Sequence, residues 1–282
     1  MRSARYQQGR LWRPCLVLLP FMAMLLLFSI APTLWIVVHG FQYEGSWSFN
    51  NFVEILNSAF YRQAFVNSVW ISVWSSLIGL VVAIVASASL RRVQSTVRDA
   101  VVAFTNMASN LSGVPLAFAF IIVMGTNGAL TLVLRHMGWL SDFSIYTQSG
   151  LVLIYSYFQI PLAVLMLYPA FDALQDDWQA AAALLGASHM AYWRRVGFPI
   201  LLPAILGTFI LMMANALGAY ASAYALMTSN YNLVTIRISS LVAGDISLEP
   251  NLAAAMSLLL IAILVAVSVV NQFLLRRSYH AR

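Results

Sequence analysis

The chain has 282 residues and no lysine; all 15 of its basic residues are arginines. A P-loop needs its lysine against the nucleotide phosphates, so any ATP-driven work must come from a separate polypeptide. Charge of either sign is scarce, at 9% of residues against about 25% in a soluble domain. The single cysteine, Cys15, excludes an intrachain disulfide framework and a cysteine-based metal cluster. Histidines stand at His39, His136, His189 and His280 with no H-E-x-x-H spacing, so no metal site is expected. No serine has a G-x-S-x-G setting, and no carboxylate pair falls within a long apolar run. No catalytic residue is therefore assigned, and no enzymatic activity is expected of the chain itself.

Apolar residues dominate instead. They make up 61% of the chain, and the mean hydropathy is +0.82. A bilayer core takes about 20 mostly apolar residues per helix. The stretches 15–39, 66–90, 101–124, 149–170, 200–225 and 251–275 meet that length, which predicts an all-α, polytopic membrane protein with six spans. The first stretch lacks a small-residue cleavage site and is read as a retained anchor. Within it, Pro20 and Pro32 are expected to kink the helix rather than break it. The organisation is then a segment 1–14, a membrane domain 15–275 with a long loop at 171–199, and a tail at 276–282.

Arginine placement sets the expected orientation. Arg2, Arg5, Arg10 and Arg13 precede the first span, and Arg91, Arg92 and Arg98 lie between the second and third. Arg194 and Arg195 fall in the 171–199 loop, and Arg276, Arg277 and Arg282 in the tail. The other side receives Arg62, Arg135 and Arg237. The positive-inside rule makes both termini and the long loop cytoplasmic. The net charge of +6 is thus a topology signal, and no nucleic-acid partner is expected. The opposite connections, about 40–65, 125–148 and 226–250, carry Trp47, Phe49, Tyr61, Trp139, Tyr146 and Tyr231, as an interfacial belt or as a docking surface.

The loop reads AAAALLGASHMAYWRRVGFPILLP from Ala180 to Pro203. Trp178 to Leu185 is rich in good helix formers. Gly186 suits a left-handed C-terminal cap, and Ser188 can cap a second turn through Trp193, Arg194 and Arg195. Pro199 should hold Phe198 extended and end that turn before the fifth span. The alanine run gives a thin side able to lie in a partner's groove, with Leu184, Leu185 and Trp193 for apolar contact.

This segment resembles the E-A-A, three residues, G, nine residues, I-x-L-P loop of permease subunits in ATP-binding-cassette importers. Ala181 and Ala182 take the alanine positions, Gly186 the glycine, and Val196, Phe198 and Pro199 the closing positions, while Ala180 stands where that family has Glu. Gln179 and Asp176 lie near that position without being in register. Asn67-Ser68 resembles the family's usual opening of span two, while the SGVPLAF run in span three and LGAYASAYAL in span five resemble the polyamine-type branch, which also includes ferric-iron and phosphonate permeases. The resemblance implies a bacterial inner-membrane permease whose loop (Ala180, Ala181, Ala182, Leu185, Gly186, Arg194, Arg195, Pro199) docks an ATPase subunit. It further implies a homodimer of ATPases carrying ATP and magnesium, a second permease of different sequence, and a soluble substrate-binding protein. The substrate it suggests is a small polyamine-like cation, with ferric iron, phosphonate or another small solute as the alternative.

The six proposed spans have no Asp, Glu, Lys or Arg in their interiors, which argues against a self-sufficient carrier with a carboxylate relay. Neutral polar residues remain as a candidate pathway: Asn110 in span three, Tyr155 and Gln159 in span four, and Asn215, Tyr220 and Tyr224 in span five. Tyr155 with Gln159, and Tyr220 with Tyr224, are four apart and share a helix face. Each can equally serve as interhelical glue.

Overall fold

The computed structural model describes residues 18–138, 143–227, 231–243 and 248–280. The amino-terminal arginines, Cys15, Trp139 and Arg282 lie outside them. Among the described residues, six helices are long and apolar enough to cross a membrane: Leu18–Gly40, Ala59–Leu90, Val114–His136, Gln148–Asp172, His189–Gly218 and Pro250–Val270. The chain divides into two units, one of residues 1–59 with 238–261, the other of 60–237 with 262–282.

In the first unit, α1 (Leu18–Gly40) leads into a short antiparallel hairpin, β1 (Gln42–Tyr43) and β2 (Ser46–Trp47). Glu44 and Gly45 form its turn with φ of 48° and 79°, the backbone that a tight two-residue hairpin demands. Helix α2 (Asn50–Asn57) follows. Its Asn51 is 3% exposed and donates to the carbonyls of Gly40 and Gln42 at 3.1 and 2.9 Å, fastening the hairpin to the end of α1.

α1 passes through Pro32 without breaking. The turn Leu26–Ile30 widens to a π-helix, and the Ala31 N–H reaches the Leu26 carbonyl. A proline ring clashes with the carbonyl four residues back in a regular helix; the wider turn moves that carbonyl aside.

The second unit opens with α3 (Ala59–Leu90), then α4 (Ser95–Ser109), α5 (Val114–Met124) and α6 (Ala129–His136). After them come α7 (Gln148–Asp172), α8 (Asp176–Leu184), α9 (His189–Gly218), α10 (Ala221–Met227) and α11 (Val234–Ala243). The last helix, α12 (Pro250–His280), begins in the first unit and ends in the second, as α11 does in the reverse sense.

α7 is the most enclosed of the long helices, with 61% of its apolar window buried. One cluster packs Ile154, Tyr155 and Phe158 of α7 with Ile71 of α3, Leu116 of α5 and Leu226 of α10. Another packs Ala163, Leu167 and Phe171 of α7 with Leu80 and Ala83 of α3 and Leu201 and Ile205 of α9. The face of α3 that allows this carries Ser68, Ser72, Ser75, Ser76, Gly79, Ala83 and Ser87, all buried. Small residues at such spacing let helix backbones approach closely in a membrane.

Two predicted continuous helices are interrupted. The stretch 101–124 divides at Asn110–Gly113, where Gly113 takes φ of +74° just ahead of Pro115. The stretch 200–225 divides at Ala219–Tyr220. Both flanks of each break are apolar, so hydropathy alone runs across them.

Candidate functional site

The loop forms an elbow. α8 ends in a Schellman motif: the Gly186 N–H bonds the Ala183 carbonyl and the Ala187 N–H bonds the Ala182 carbonyl, each at 2.9 Å. Gly186 has the left-handed φ of +80° that this cap requires, and nothing lies within 4 Å of where a Cβ would stand. Ser188 then caps α9, its hydroxyl accepting from the Ala191 N–H at 3.2 Å. Both caps follow from local chemistry, as predicted.

Pro199 departs from the expectation. Phe198 is helical, with φ −63° and ψ −45°, rather than extended. Trp193–Gly197 forms a π-helical turn whose closing bond runs from the Phe198 N–H to the Trp193 carbonyl. This is the device that carries α1 past Pro32, and it merges the elbow's second arm with α9 instead of ending it. The Trp193 indole lies against Gly197, where an added Cβ would stand 2.6 Å from the ring. Trp193 also donates through Nε1 to His189 Nε2 at 3.3 Å.

The tip is bare. Leu184 and Leu185 are 90% and 89% exposed, and Met190 is 76% exposed. Ala180, Ala181, Arg194 and Arg195 are exposed too, with Ala182 and Pro199 half-buried. Large apolar side chains this exposed take no part in a packed core of the loop itself.

The pathway candidates separate into two groups. Gln159 is fully buried; its Nε2 donates to Ser75 Oγ and its Oε1 accepts from Ser76 Oγ, both at 2.9 Å. Tyr155 is buried and donates to the Ala219 carbonyl at 2.6 Å, satisfying a group released where α9 stops. Both therefore knit helices together, the interhelical role that was open to each pathway candidate.

The other group gathers at the broken helices. Ser112, Gly113, Asn215, Gly218, Ala219 and Tyr220 line a cavity of about 480 Å³. Ser222 Oγ donates to the Gly113 carbonyl at 3.1 Å, joining one break to the other. Tyr220 and Tyr224 stack with ring centroids 5.2 Å apart. Asn110 is exposed at the end of α4, its amide donating to the Asn106 carbonyl at 2.8 Å, and does not line the cavity. Irregular backbone within a membrane is tolerated where it lines such a space, and discontinuous helices build the solute sites of many transporters.

Sequence reading missed Ser75, Ser76 and Gly113; the serine spacing along α3 is the signal that was there to be used. It also missed what Asn67 and Ser68 do. Asn67 donates to the Asn232 carbonyl at 3.1 Å, and Ser68 Oγ accepts from the Val234 N–H at 3.0 Å, capping α11. Among the described residues, no group of three or more His, Cys, Asp or Glu is placed to hold a metal.

Known transport proteins resemble this chain in sequence and fold. The chain is 23% identical over 266 residues to the spermidine/putrescine transport system permease protein PotC of Haemophilus influenzae, covering 92% of this chain and 96% of that one. It is 32% identical over 120 residues to the probable sulfate transport system permease protein cysT of Prototheca wickerhamii, spanning 40% of this chain and under half, 47%, of that relative. A crystal structure of a bacterial alginate ABC transporter, in complex with an alginate pentasaccharide-bound periplasmic protein, matches at a TM-score of 0.78 with 16% identity, covering 98% of each chain. The model of the binding-protein-dependent transport system inner membrane component matches residues 75–278, elbow and polar cavity included. The chain belongs to that family, the permease subunits of ATP-binding-cassette importers.

Proposed function

We propose that the chain forms half of an importer's membrane pathway and pairs with a second permease of different sequence. A separate ATPase dimer grips the 176–199 elbow, and the solute is a small polyamine-like cation handed over by a soluble binding protein. The observation that carries the coupling role is the bare Leu184-Leu185 tip on a turn fixed by Gly186 and Ser188. Such a tip fits an apolar groove on a partner. Ala180 lacks the carboxylate that the family places there, so apolar contact carries more of the docking.

We infer that the elbow and both termini face the cytoplasm, where ATP is, because Arg91, Arg92, Arg98, Arg194, Arg195, Arg276 and Arg277 flank that side. The 480 Å³ cavity at the two helix breaks is the candidate solute contact. Closure of the ATPases turns the elbows, and the helices on either side carry that turn to the cavity. The polyamine reading rests on two supports: the near full-length match to PotC, and the Tyr220–Tyr224 pair, whose ring faces suit a cation. The sulfate relative favours a second reading, an oxyanion held by the Asn215 amide and the Ser112 hydroxyl.

Purification of the tagged chain from its native membrane tests the assembly. A P-loop ATPase should accompany it, and its absence would overturn the permease reading. Uptake of labelled spermidine, competed by unlabelled spermidine but not by sulfate, tests the solute; competition by sulfate alone would favour the second reading.

A further inference from the structure

We infer that the ends of α3 and α7 beside the elbow form a binding site for the phosphate headgroup of an anionic phospholipid. The inference rests on the proposed orientation, which puts this end at the cytoplasmic leaflet. A cavity of about 580 Å³ opens there. Its polar side is Ser89, Arg91, Arg92 and Gln179, with no carboxylate among the described lining residues. Its apolar side is Ile84, Val85, Ala88 and Phe171, with Trp193 between the two.

The arginines are differently placed. Arg91 is half-buried and anchored, its guanidinium donating to the Leu174 carbonyl at the end of α7. Its position, and with it a permanent positive charge, is thereby fixed at the mouth of the cavity. Arg92 is exposed at the rim. Two adjacent guanidiniums with a hydroxyl and an amide match the oxygens of a phosphate, which arginine forks grip through paired hydrogen bonds.

The apolar wall distinguishes a lipid from a free anion. Val85 is 61% exposed and, with Ile84 and Ala88, continues the cavity along α3 into the bilayer span. Inorganic phosphate would leave that wall wet; an acyl chain covers it. Basic pockets between membrane helices at the cytoplasmic side are a recurrent setting for anionic headgroups.

The site also touches the coupling machinery. Gln179 lies on α8 and Trp193 opens the π turn, so one occupant contacts both arms of the elbow. An anionic lipid would brace the elbow from the side, and coupling would depend on leaflet composition.

Native mass spectrometry on the complete complex, titrated with phosphatidylglycerol or phosphatidylcholine, tests this. Phosphatidylglycerol should bind more tightly, and Arg92→Gln should weaken it about fivefold, the ordinary worth of one arginine at an anionic surface. Arg91→Gln/Arg92→Gln should abolish the preference, while Arg98→Gln, outside the cavity, should leave it intact. Equal binding of the two lipids, an unchanged preference in Arg92→Gln, or an equal loss in Arg98→Gln would overturn the site. Displacement of the lipid by inorganic phosphate would reassign it to a soluble anion and overturn the lipid claim. A complex that keeps its ATPase but shows no lipid preference fails this inference alone; loss of the ATPase from the wild-type complex fails the permease reading.

Discussion

The side-chain carbonyl of Gln159 accepts a hydrogen bond from Ser76 at 2.9 Å, with both residues fully enclosed between α3 and α7. The amide's other end donates to Ser75. An interhelical hydrogen bond in a membrane contributes about 1 kcal/mol, and truncation also leaves the serines without partners and a void behind. Gln159→Ala should lower the thermal midpoint of the detergent-solubilised complex. In a double-mutant cycle, Ser76→Ala should cost less when Gln159 is already gone. An unchanged midpoint would show that the amide contributes no packing or bonding of consequence.

At Gly186, conformation and charge can be separated. Asn and Asp both tolerate the left-handed backbone at little cost, and the space around the position is open. Gly186→Asn should therefore keep coupled ATPase activity near wild type, while Gly186→Asp uncouples it without affecting membrane insertion. Equal behaviour of the two variants would assign the effect to the backbone instead of the docking surface.

Leu184 and Leu185 contribute almost nothing to the fold, being about nine-tenths exposed. Their replacement by alanine should change stability by less than about 0.5 kcal/mol. If the tip is buried in an ATPase groove, each truncation removes on the order of 1 to 2 kcal/mol of apolar contact, about tenfold in affinity. Binding of the purified ATPase to the permease complex, measured at equilibrium, decides between a docking tip and an idle one.

Asn215 is exposed on the wall of the polar cavity. Asn215→Ala should leave the thermal midpoint unchanged and alter the uptake KM, the reverse of the Gln159 pattern. Uptake kinetics identical to wild type would remove this wall from the solute's route.

The elbow's two caps were legible because each depends on one residue and its immediate neighbours. Gly186 needs only its own freedom of φ, and Ser188 needs only the amide three residues on. The X-Pro rule at Phe198 failed for a reason of the same scale: Phe198 closes the π turn through its N–H to the Trp193 carbonyl, which holds it helical against its local preference. Gln159 and Tyr155 were singled out by spacing, but their partners lie 83, 84 and 64 positions away, on helices whose rotation the sequence does not state. The interruptions at Asn110–Gly113 and Ala219–Tyr220 sit between apolar flanks, so a hydropathy window averages over them. Gly113 beside Pro115 was the local clue.

The π turn beneath Pro199 leaves α9 whole from His189 to Gly218, 30 residues in one piece. At 1.5 Å per residue such a helix is about 45 Å long, so a tilt of about 10° at its foot sweeps the tip through roughly 8 Å. Asn215 and Gly218 ride on that tip. If a partner does move the elbow, a stiff pole of this length needs no relay of side chains to carry a small nudge from one end to the other; its own rigidity would be the transmission.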